Sequence, residues 1–108
     1  MLIRMKELLY VRTEMTIPQV GTSIHIAELQ PIDGFTCELL RIIELDPSET
    51  IRGAATGGES VGMAAAPEQV VPHPDQYADF PDITSTTVLA DAFEALWAEA
   101  LAKFPSLG

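Results

Sequence analysis

Gly58-Glu59-Ser60-Val61-Gly62 matches G-x-S-x-G, the pattern that sets a nucleophilic serine on a sharp turn between a strand and a helix. Such a serine also needs an oxyanion hole, a histidine and an acid delivered by the fold. The surrounding residues do not supply them. Ile51–Thr56 can be the strand, but the following MAAAPEQVVPHP leaves barely a helical turn before Pro67. The only downstream histidine, His73, stands in a proline-rich run. Small, flexible residues account for the match, so no catalytic residue is assigned and a non-enzyme is expected.

The remaining reactive side chains are few. His25 alternates with Ile24 and Ile26 and so points away from their face, as an edge or surface histidine would. His73 with Asp75, Asp79 and Asp82 makes a loose oxygen-rich cluster. It has neither the D-x-[DN]-x-[DN]-G loop of a calcium site nor paired histidines at zinc spacing, so neither metal nor cofactor is expected. Cys37 has no basic neighbour in sequence to stabilise a thiolate, and reads as a structural thiol. Arg41 and Arg52 stand among acids, where internal ion pairing is the plain expectation.

These residues have to be positioned by strands and one helix. Leu8–Met15 alternates, with Leu9, Val11 and Met15 on one side and Tyr10, Arg12 and Glu14 on the other, which predicts a half-buried strand. Thr16–Thr22, with Pro18 and Gly21, reads as a loop. Ser23–Gln30 is a second strand, and Asp33-Gly34 supplies the next turn. Thr36–Leu45 is apolar on both faces (Leu39, Ile43 and Leu45 against Leu40 and Ile42), the pattern of a central strand. Asp46–Glu49 is a turn with proline at a favoured position, and Ile51–Thr56 a short fourth strand.

Residues 57–84 hold three glycines, four prolines and five acids without a basic residue, which excludes a helix interior or central strand. An ordered loop wrapping the sheet is expected, pinned by Val70, Val71, Tyr77, Phe80 and Ile83. After it, residues 85–104 read as an amphipathic helix. Ser85, Thr86 or Thr87 would cap it, Leu89, Phe93, Leu96, Trp97, Ala100, Leu101 and Phe104 form the apolar stripe, and Pro105 ends it. Trp97 sits within that stripe and reads as a core anchor. The expected architecture is α+β: an antiparallel meander of about four strands (8–56), a proline-rich wrapping loop (57–84) and a C-terminal helix (85–104).

A chain of 108 residues, 47% of them apolar, fits one domain with one core. Residues 1–7 carry Arg4, Lys6 and Glu7 and read as a ragged start rather than a signal peptide. One cysteine and no long apolar run point to a cytoplasmic setting. Sixteen acids against six bases leave a formal charge of −10, and beyond Arg52 the single basic residue is Lys103. Such a surface repels nucleic acid and anionic lipid and attracts cationic protein.

The run Thr56–Pro67 (TGGESVGMAAAP), the segment His73–Ile83 (HPDQYADFPDI) and above all Phe93-Glu94-Ala95-Leu96-Trp97 resemble a family of small uncharacterised acidic bacterial domains, built from a sheet and a helix of F-x-x-L-W type. The loop Thr16–Thr22 and the helix start at Ser85–Ala92 depart from that pattern. The resemblance implies the fold and, for some families of this look, an immunity role in neutralising a toxin encoded beside them. It brings no catalytic residue.

Three functional classes follow. The first is a non-catalytic acidic binding protein, such as an immunity or inhibitor protein, that neutralises a basic protein partner. Its contacts would come from Glu68, Asp75, Asp79, Asp82, Asp91, Glu94 and Glu99. The second is a homodimer joined through the sheet face, suggested by the two-sided apolarity of Thr36–Leu45. The third is a ligand-binding module, or less readily a small hydrolase, using a pocket between loop and helix.

Overall fold

The computed structural model describes residues 8–19, 21–63, 67–79 and 82–107. Residues 1–7, Phe80 and Pro81 lie outside this set, as does the side chain of Asp79. A meander of four strands forms its centre: β1 (Leu9–Ile17), β2 (Gly21–Pro31), β3 (Thr36–Leu45) and β4 (Ile51–Thr56), each antiparallel to the next. The turn after β2 is fixed by Asp33, whose carboxylate accepts from the backbone N–H groups of Phe35 and Thr36, both at 2.8 Å. Those donors hold its carboxyl below the usual range. Asp46 fixes the turn after β3 in the same way, accepting from Ser48 and Thr50.

Among the described residues the expected four or so strands are seven, because the proline-rich stretch is not one loop. It contributes β5 (Glu59–Val61), β6 (Val70–Pro72), a short 3-10 helix (Pro74–Asp79) and β7 (Ile83–Thr87). The sheet runs β5-β4-β3-β2-β1-β7, with β6 also on β3. Proline is tolerated there because it stands at strand ends and at the start of the short helix, where no ladder N–H is needed. The segment Thr16–Thr22 is likewise mostly strand. Pairing continues to Ile17 opposite Gly21.

The helix α1 spans Ala90–Lys103, starting later than the expected 85. Ser85, Thr86 and Thr87 pair with β1 instead of capping, and Leu89 takes the cap position without a side-chain hydrogen bond, 77% exposed. Phe93, Trp97 and Ala100 are buried, on Ile24, Ile26, Ile43, Leu45 and Ala54. Burying a side chain of this size stabilises by about 1.5–3 kcal/mol, so α1 anchors this face. Pro105–Leu107 then turns in a second 3-10 helix that buries Leu107. No described helix is long and apolar enough to cross a membrane.

A bulge decides which β3 side chains face α1. Glu28 pairs with Arg41 and Leu29 with Leu39, so Leu40 is an extra residue on β3. Leu39 therefore joins Ile42 on the face away from α1, not Ile43 and Leu45 as simple alternation requires. There Val11, Ala27, Leu29 and Cys37 form a second core, covered by Val71 and Tyr77 of the strap formed by residues 67–79. Val70, expected as a pin, is 52% exposed. The β3 face of Ile43 and Leu45 is thus covered by α1, and that of Leu39 and Ile42 in part by the strap.

Candidate functional site

The β3 bulge lies where the strand changes partner along one side. Residues 36–38 pair with β6 and residues 41–45 with β4. Between them the backbone N–H of Leu39 donates to the Gln69 carbonyl (2.8 Å), and the Thr56 hydroxyl to the Leu40 carbonyl (3.2 Å). The gap opens a cleft of about 470 Å³. Leu39, Leu40 and Ala55 give it apolar walls, and the Gly57-Gly58 turn closes one end. Both glycines have positive φ (56° and 86°), as a two-residue hairpin turn between Thr56 and Glu59 requires.

Glu38, Glu59 and Glu68 line this cleft and are exposed. None of them has an ion pair among the described residues. Among the described residues the only Lys or Arg in the lining is Arg41, and it is already engaged. Its Nε and Nη2 donate to Glu28 at 2.7 and 2.6 Å, and its Nη1 to Glu94 at 2.7 Å. The guanidinium also lies 4.9 Å from the Phe93 ring centre and 5.3 Å from that of Trp97. Tyr10 Oη donates to Glu28 at 2.9 Å.

Every charged group of this network has a partner within it. Arg41 holds the buried Glu28 carboxyl below its ordinary range, and Glu28 and Glu94 together raise Arg41. Burial and the Glu28 carboxylate push Tyr10 up. The cleft therefore presents three uncommitted carboxylates above a satisfied polar floor. It suits a cationic group.

Ser60 also lines the cleft, but within a regular strand opposite Ala55. Among the described residues no helix directly follows it, and neither histidine is in the lining. The glycines of the motif have other work: Gly62, at φ 71°, lies in backbone contact with Arg52 and Gly53. His25 is not at an edge. β2 lies between β1 and β3, and His25 Nε2 meets the buried Glu44 at 2.9 Å, which also accepts from Arg52 Nε at 2.7 Å. His73 accepts from the Asp75 backbone N–H at its Nδ1 (3.0 Å) and lies 3.6 Å from that carboxylate. Among the described residues no group of three or more His, Cys, Asp or Glu could hold a metal ion. Cys37 is buried, and burial raises its thiol.

The seven acids expected to meet a partner are not gathered together. Asp91, Glu94 and Glu99 belong to α1, while Glu68, Asp75 and the backbone of Asp79 belong to the strap on the opposite face. Asp82 is exposed just before β7. Glu94 is committed to Arg41, and only Glu68 of the seven lines the cleft. No residue of α1 lines it. Glu38 and Glu59 were missed because the β3–β6 and β4–β5 pairings bring them together. The one sequence signal for this was the Gly57-Gly58 turn. Compared with known proteins, the chain matches no family model, no curated protein and no solved structure.

Proposed function

We propose that this chain is a non-catalytic acidic binding protein that engages a basic protein partner, in the manner of an inhibitor or immunity protein, through the cleft between β5 and β6. The observation that carries this reading is the pairing of three carboxylates, Glu38, Glu59 and Glu68, with an apolar wall, and among the described residues these acids have no ion pair and the cleft no available cation. A lysine or arginine of the partner would place its stem on Leu39, Leu40 and Ala55 and its charge among the acids. Val70, beside Glu38 in the β3–β6 register and 52% exposed, extends the apolar contact. An apolar centre with a polar rim is the anatomy of protein interfaces.

The test is a titration of the labelled protein with an arginine-rich peptide, followed by backbone NMR. The expected result is saturable shifts confined to residues 38–41, 55–60 and 67–70. Shifts spread over Asp82, Asp91 and Glu99 without saturation would mean that the acidity attracts cations generally and the cleft selects nothing.

A further inference from the structure

The face away from α1 holds a second cleft of about 390 Å³, roofed by Val71 and Tyr77 of the strap and walled by Val11, Ala27, Leu29 and Ile42. Its size is that of small-molecule sites, which combine apolar walls with a few fixed polar groups. Glu68 of the strap also lines it, and the polar groups of its sheet wall lie on one rung. Ser85, Thr13, His25 and Glu44 are directly opposite one another across β7, β1, β2 and β3. Of these, Thr13 and His25 line the cleft.

His25 is held as an anchor. Glu44, with its side chain 3% exposed, fixes the ring through Nε2 and is itself held by Arg52. A carboxylate that also accepts from Arg52 takes the Nε2–H of the imidazole, which leaves Nδ1 as the ring's other hydrogen-bonding atom. Among the described residues Nδ1 of His25 has no partner. Apolar walls beside a fixed imidazole with an unengaged nitrogen and a threonine hydroxyl suit a hydrogen-bond donor carried on an apolar body. We infer that this cleft is a binding site for a small, largely apolar molecule bearing a hydroxyl group, the hydroxyl bonded to His25 Nδ1. Leu39, Pro67 and Glu68 line both clefts, but the inference rests on His25 and Thr13, which the basic-partner reading does not use.

The experiment compares naphthol with its methyl ether, which cannot donate a hydrogen bond, by titration into the full chain. Naphthol should move the His25 ring nitrogen resonance and the amides of Val11, Ala27 and Ile42, and should bind about tenfold more tightly than the ether. His25→Phe should abolish that preference while leaving weak binding of both. No binding, equal binding of the two probes to the parent, or shifts located at the exposed Ile32 and Phe35 would each overturn the inference. Retention of the preference in a folded His25→Phe protein would do so as well. The parental comparison decides the matter even where His25→Phe fails to fold.

Discussion

Glu28 shows how much a single residue carries. It is a carboxylate in the middle of a sheet, and it is tolerated because Arg41 and Tyr10 occupy both its oxygens. Removing one member of such a pair leaves the other's charge uncompensated, which costs more than the pair contributes. Glu28→Gln should therefore lower stability at pH 7 by about 3 kcal/mol in urea melts. The pH dependence has a definite sign. A carboxyl lowered in the folded state stabilises fully above its unfolded value, near about 4.3 for glutamate, and that stability is lost as pH falls through the lower folded value. Asp33 and Asp46, lowered by their turn donors, act in the same direction. The parent should thus hold its stability down to about pH 5 and lose it below, with a shallower acid loss in Glu28→Gln. A variant as stable as the parent at pH 7 would show that Arg41 needs only Glu94.

At the scale of elements, the β4–β5 hairpin is set by glycine contact. A Cβ on Gly53 would stand 2.5–2.7 Å from the backbone of Val61, Gly62 and Met63, where nothing can yield without moving the strand. Gly53→Ala should cost about 2–3 kcal/mol and displace β5, measurable by urea melts and by amide shifts at Glu59–Val61. An unchanged protein would mean the hairpin is not packed as described. The elements themselves were partly legible. Thr36–Leu45 and Ile51–Thr56 carry their own alternation and turn residues, and they form strands with the expected bounds. Phe93, Trp97 and Ala100 are buried as their spacing requires. What local pattern does not carry is long-range pairing. Val70–Pro72 is a strand only because β3 offers an open edge beyond β4, and Ser85–Thr87 are strand rather than cap because β1 does the same. The Leu40 bulge likewise reverses Leu39 without leaving a periodic trace. The cleft arises from these pairings, so of its acids only Glu68 could be named beforehand.

For the molecule as a whole, the formal charge of −10 says little until it is divided among surfaces. Part of it is internal: Glu28, Glu44 and Glu94 are paired with arginines. Part is spread over both faces, on α1 and on the strap. The uncommitted carboxylates beside apolar walls are those of Glu38, Glu59 and Glu68. The most direct measurement is calorimetric binding of an arginine-rich peptide to two variants of equal charge change. One is the Glu38→Lys, Glu59→Lys, Glu68→Lys triple, the other the Asp82→Lys, Asp91→Lys, Glu99→Lys triple. The account predicts a loss of about tenfold or more in affinity for the first and a change within about twofold for the second, because local pairing outweighs screened long-range attraction. Equal losses in the two variants would contradict it, and would assign the binding to overall charge.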